Sequence, residues 1–168
     1  MRHDFTEIES NFAPKYPQHS QLTLAFLISP PLMAGLYGTR GKDIRATGAE
    51  PIFLMTWAYA DKPEMTKQLA DATIRVANEN KALVIPVGLA FAQALKERPD
   101  LKLTVEDNRH PTATGSYLEG AVIFAALTHT SPEGAPFLGG CEKPLAKKDA
   151  QFLQTIAWKT VKESYEWK

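Results

Sequence analysis

Hydrophobic and polar positions change period several times along the chain, and the changes mark out its elements. Residues 1–20, "MRHDFTEIESNFAPKYPQHS", keep neither the helical nor the strand period and are expected to be loop. The apolar run "LTLAFLIS" at 22–29 has strand length and is stopped by Pro30 and Pro31. "GKDIRATGAE" (41–50) reads as a helix end closed by Gly48, and "PIFLMTW" (51–57) as a strand. That strand is apolar throughout, as expected where both faces of a sheet are covered. Asp61 and Glu64 then have the spacing of a capping box. They precede a helix on which Met65, Leu69, Ala72, Val76 and Ala77 share a face.

A second buried strand, "ALVIPV" (82–87), leads into a helix, "LAFAQALKER" (89–98), and then to a short strand candidate, "LKLTV". Next comes a helix over roughly 112–128, apolar nearly all round and therefore expected to be central. A Gly/Pro-rich stretch (131–144) precedes a last amphipathic helix, with Phe152, Leu153, Ile156, Ala157 and Val161 on one face. Apolar strands alternating with helices predict an α/β domain whose parallel sheet is covered on both sides.

Composition narrows the function classes. The 168 residues fit one domain and are enough to bury a substantial core. Nineteen basic and nineteen acidic side chains cancel, so no net field favours nucleic acid or an anionic membrane, and neither is expected as a partner. The longest apolar run, around Leu22 to Ile28, is far too short to span a bilayer, and the polar, acidic first residues do not have the form of a secretory signal. A cytoplasmic location is the expectation. Cys141 is the sole cysteine, which excludes an intramolecular disulfide and a thiolate metal site.

The candidate chemistry lies in "VEDNRHPTATG", where Asp107 and His110 are three residues apart just ahead of the apolar helix. An acid at that spacing can accept from one ring nitrogen, fix the tautomer and leave the other nitrogen as a general base. The same pattern also suits a plain turn, with Asp107 as its turn residue and His110 near a helix start. A metal site would need a third ligand, and His3, His19 and His129 have no helpful spacing, so no metal and no cofactor are expected.

"DNRHPTATGSYLEGAVIFAALT" resembles the last block of the SGNH (GDSL-type) hydrolases, in which D-x-x-H-P precedes a helix beginning near G-x-Y-L. The upstream segment from Ile44 to Leu101, with its T-W after the strand and its "VG-x-A" turn, resembles the middle of one bacterial SGNH-like group. "AQFLQTIAWKTV" is similar to the closing helix of that group. The resemblance covers about residues 41–165. It implies a three-layer α/β/α flavodoxin-like domain over 41–168 and metal-free hydrolysis of a small ester or acyl substrate. In that implied site His110 is the base, Asp107 its acid, and Trp57 a residue beside the substrate cleft. An ordinary core aromatic is an equal reading of Trp57.

The segment 1–40 matches the family poorly and holds one candidate strand. The family's G-[DN]-S nucleophile motif is absent, so the first strand and first helix of the fold are expected to be missing. Ser29 ends a strand-like run, but the prolines after it remove two backbone donors that an oxyanion site would need. Ser10, in "IESNFA", has no apolar strand before it. These two are the weak candidates for the nucleophile. The chain is thus either a truncated product with only the base half of the site, which is the favoured expectation, or a divergent protein that kept the fold without hydrolysis. A missing strand would leave a sheet edge open to self-association. The alternative function is a non-catalytic α/β binding or interaction domain.

Overall fold

The computed structural model describes residues 22–26 as backbone and residues 42–139 and 143–167 in full. The expected loop at 1–20, Ser10, Ser29, Pro30, Pro31 and Cys141 lie outside the described residues.

Among the described residues, three strands, β1 (Leu22–Phe26), β2 (Glu50–Leu54) and β3 (Leu83–Ile85), form a parallel sheet in the order β1-β2-β3. Leu24 lies opposite Ile52, and Phe53 opposite Val84. Parallel neighbours need a crossover, and helix α1 (Met65–Glu79) supplies the one between β2 and β3. The apolar strands of the sequence are thus strands of one α/β sheet. β2 is shorter than the run "PIFLMTW". Met55 still donates its backbone N–H to the Ile85 carbonyl at 2.9 Å, but the chain then leaves the sheet, carrying Trp57 away from the ladder.

α1 buries Leu69, Ala72, Val76 and Ala77 against β2 and β3, the face its periodicity predicts. Its start differs from expectation. Glu64 is the cap residue, in helical conformation, and no side chain caps the helix. The capping box of Asp61 with Glu64 does not form because residues 59–63 make turns of their own: Lys62 donates to the Tyr59 carbonyl, and Met65 to that of Lys62. At the other end, Arg45 of the helical residues 42–46 donates to the carbonyls of Asn80 (2.8 Å) and Lys81 (2.7 Å), closing α1 with a cation at its negative pole.

Helix α2 (Val87–Glu97) begins directly behind β3, with Pro86 at its cap position. Gly88 donates to the Met55 carbonyl at 2.9 Å, and a Cβ on it would lie 2.2 Å from the Thr56 carbonyl oxygen. Only glycine lets α2 press this closely on the carboxyl end of β2. Helix α3 (Ala113–Thr128) and helix α4 (Lys147–Ser164) pack along each other and against α2. Tyr165, just after α4, sends its hydroxyl to the Val84 carbonyl at 2.5 Å, tying the end of the chain to β3.

α3 is not central in the sense its composition suggests. Gly115, Leu118, Val122, Ala125 and Ala126 are buried, while Phe124 is 45% exposed on the other side. The apolar outer face is covered in part by an irregular segment rather than by a helix or strand: Tyr117 donates its O–H to the Phe137 carbonyl at 2.8 Å, and the two rings lie 6.3 Å apart. Among the described residues, no helix is long and apolar enough to cross a membrane.

Candidate functional site

The loop between α2 and α3 is closed on itself by backbone bonds before any side chain is considered. Val105 donates to the His110 carbonyl (2.9 Å), Asn108 to the Val105 carbonyl (2.9 Å) and Thr112 to the Leu103 carbonyl (2.9 Å). Thr104 and Pro111 form an isolated antiparallel bridge, so "LKLTV" contributes a bridge residue and no strand. Asn108 turns the tip with φ 63°, a left-handed conformation that Asn tolerates better than most residues. Thr112 ends the loop: its hydroxyl donates to the Lys102 carbonyl at 2.7 Å and accepts the Gly115 N–H, capping α3.

Within this loop Asp107 and His110 are brought together. One carboxylate oxygen of Asp107 accepts the backbone N–H groups of Arg109 (2.8 Å) and His110 (3.0 Å), and the other meets His110 Nδ1 at 2.5 Å. The imidazole bond, followed by the two backbone bonds, holds the Asp107 carboxyl well below the usual range, at about 2. An ionised carboxylate can only accept, so Nδ1 is the donor, and the neutral ring keeps its lone pair on Nε2. The His110 side chain is 79% exposed, which leaves that nitrogen open to a proton donor from outside the loop.

Three contacts fix the loop to the chain leaving β2. Trp57 Nε1 donates to the Arg109 carbonyl at 2.8 Å, and Ala60 N–H donates to the Asn108 carbonyl at 3.0 Å. The Arg109 guanidinium lies 4.8 Å from the centre of the Tyr59 ring. Trp57 itself is seated on Phe91 of α2, with ring centres 4.5 Å apart and planes within 9° of parallel. Trp57 is therefore half-buried and joined to the loop of the acid–imidazole pair. The whole assembly sits past the carboxyl ends of β2 and β3, where parallel sheets present their ligand-binding loops.

Sequence reading did not find the roles of Tyr59, Ala60, Arg109 and Thr112. Thr112 had a local signal, a threonine directly before an apolar helix. The other three act across about fifty residues of chain and have no local signal. Ser10 and Ser29, outside the described residues, are not placed relative to His110. Among the described residues, no group of three or more His, Cys, Asp or Glu side chains could hold a metal ion.

A separate groove of about 630 Å³ runs along the outer face of α3, lined by Tyr117, Gly120, Ala121, Phe124, Pro132 and Phe137 among others. Gln154 of α4, only 1% exposed, forms its polar floor. It accepts the Gly134 N–H at 3.0 Å and donates to the Tyr117 hydroxyl (2.7 Å) and the Ala135 carbonyl (3.1 Å). Its amide N–H groups are thereby used within the protein.

Fold and site together define an α/β domain with a parallel sheet and a hydrogen-bonded acid–imidazole pair beyond its strand ends. No family model matches the chain. No curated protein matches it either. Among solved structures, it is similar to a DUF4886 family protein from Bacteroides uniformis ATCC 8492, with a TM-score of 0.69 and 20% identity over 92% of this chain. The chain spans 65% of the length of that protein. At this identity the likeness concerns the fold.

Proposed function

We propose that the chain is a domain of the SGNH-hydrolase type, which cleaves a small ester or acyl substrate with a Ser-His-Asp site, and that it carries the base half of that site without the G-[DN]-S nucleophile motif. In this reading residues 41–168, with β1 added to their sheet beside β2, form a three-layer α/β/α flavodoxin-like domain. His110 is the general base, Asp107 its orienting acid, and Trp57 a wall of the substrate cleft. The observation that carries the reading is the bond from His110 Nδ1 to an Asp107 carboxylate that two backbone N–H groups also hold. That arrangement supports Nε2 as the base: it takes the serine proton as Oγ attacks the substrate carbonyl, and later returns it to the leaving group. Asp107 stabilises the imidazolium formed in between. The nucleophile is unidentified; Ser29 and Ser10, both outside the described residues, are its weak candidates. No cofactor, nucleic acid or membrane takes part, the location is cytoplasmic, and self-association runs through a sheet edge.

The test is labelling with a fluorophosphonate probe beside a His110→Ala control, with the modified peptide mapped by mass spectrometry. A serine that reacts in the natural chain and not in the control supports the reading and identifies the nucleophile. No label on a cooperatively melting protein refutes hydrolysis and leaves a non-catalytic α/β binding domain in its place. Sedimentation across a concentration series tests the self-association.

A further inference from the structure

Arg109 is adjacent to His110 in the chain and is held at its N–H, its carbonyl and its side chain. Its N–H is held by Asp107, its carbonyl by Trp57, and its guanidinium carbon lies over Tyr59, 4.8 Å from the ring centre. The main chain of Tyr59 is held in a turn, its carbonyl accepting the Lys62 N–H at 2.9 Å. Among the described residues no hydrogen bond or ion pair engages the guanidinium. With its carbon over the Tyr59 ring and its N–H groups unused, the guanidinium retains the donors that bind a planar two-oxygen acceptor. The stack also fixes rotamers that an unsupported arginine would have to order on binding.

Building on the hydrolase reading, we propose that Arg109, supported by Tyr59, is the specificity-determining residue of the site and selects esters that carry a carboxylate. The sign of its surroundings favours a monoanion over a phosphate dianion, because Glu106 and Asp107 lie on the same loop and repel a second negative charge. A lone guanidinium matches the two oxygens of one carboxylate with its fork.

The test uses two amides of the same size that a serine esterase leaves intact: N-methylsuccinamate, which bears a carboxylate, and N-methylsuccinamide, which has an uncharged carboxamide in its place. Each is titrated into the full chain at low salt and followed by the amide and side-chain NMR signals of residues 57–60 and 105–112. The natural chain is expected to bind the anionic amide about 5- to 10-fold more tightly, the scale of one charge-assisted pair at an exposed site. Arg109→Gln is expected to bring the ratio close to one, and Arg109→Lys to keep only part of it, since lysine retains the charge without the fork. Tyr59→Leu is expected to weaken the preference with the charge still present. Unchanged spectra away from the loop report that each variant is folded. Equal binding of the two amides, binding of neither, or a preference that survives Arg109→Gln overturns the proposal. Because binding is read and not turnover, a chain without a reactive serine refutes the hydrolase reading separately. A reactive serine with no preference between the amides refutes the selectivity alone.

Discussion

Gly115 lies in the first turn of α3, and a Cβ built on it falls 2.2 Å from the Leu103 carbonyl oxygen and 3.1 Å from Pro111 Cβ. Gly120 lies on the same helix with nothing within 4 Å of its added Cβ. The pair sets intrinsic preference against packing with one substitution. Alanine is better than glycine inside a helix by about 0.5–1 kcal/mol, so Gly120→Ala should stabilise the protein by about that amount. At Gly115 the same gain is opposed. The oxygen must retreat by close to 1 Å to reach a tolerable separation, an overpacking that costs about 1–3 kcal/mol. That oxygen also accepts the Thr112 N–H at 2.9 Å, so its retreat strains the bond that enters the helix, worth about 1 kcal/mol.

Gly115→Ala should therefore destabilise by about 1–2 kcal/mol after the helix gain is subtracted. The assay is urea unfolding followed by helical circular dichroism, comparing midpoints at unchanged slope. In a thermal melt the loss corresponds to a fall of roughly 2–8 °C, given about 2–4 °C per kcal/mol at this size. If both alanines raise the midpoint, the close approach of α3 to the loop is not real, and the frame of the acid–imidazole pair goes with it.

The remaining predictions probe that frame and the core behind it. Trp57→Phe keeps a ring for Phe91 but removes the donor to the Arg109 carbonyl. It should cost about 0.5–1 kcal/mol and speed hydrogen exchange at Ala60 and Asn108, and unchanged exchange there would refute the strut. Asp107 has its pKa lowered from 3.8 to about 2 in the folded chain, so the stability it adds is present above pH 4 and lost as pH falls towards 2. The gap in urea midpoint between the natural chain and Asp107→Asn should then shrink from pH 5 to pH 2.5, and a gap that does not change with pH contradicts the assignment. Gln154→Ala strips partners from the Gly134 N–H, the Ala135 carbonyl and the Tyr117 hydroxyl. A loss of about 2–3 kcal/mol is expected in thermal unfolding, and one below about 0.5 would mean that water replaces the amide at no cost.

What the sequence disclosed follows the range of the interactions involved. The buried face of α1, the apolar strands β2 and β3 and the start of α3 are set by residues within a turn or a strand length, and periodicity exposes them. The Asp107–His110 contact is likewise local, three residues apart. The failures have the opposite character. "PIFLMTW" reads as strand to its end, but Trp57 is drawn out of the sheet by a bond to a carbonyl fifty-two residues further on. Asp61 and Glu64 keep capping spacing, yet Ala60 is committed to Asn108, and the turns that follow set the helix start at Met65. The outer face of α3 is apolar because residues 132–137 cover it in part, and no helical period announces a loop as a partner.

The local bonds of Asp107 would by themselves make an ordinary turn: a carboxylate accepting the N–H groups two and three residues on does so wherever the chain must reverse. Such a turn needs no fixed position. Here its position is fixed by a chain of contacts that begins in the sheet. Gly88 lets α2 close on the end of β2, which places Phe91 beneath Trp57. Trp57 then holds the Arg109 carbonyl, and Ala60 holds that of Asn108. A proton-transfer pair requires this, because a base displaced by an ångström loses much of its effect, whereas a simple reversal does not. The long-range clamps are therefore the features that weigh most for the catalytic reading of His110. Gly88→Ala offers a separation of the two readings: the 2.2 Å approach must open, so Trp57 and the loop should shift together. If the NMR signals of His110 and Arg109 stay in place while those of Thr56 move, the turn stands without the sheet and the case for a positioned base fails.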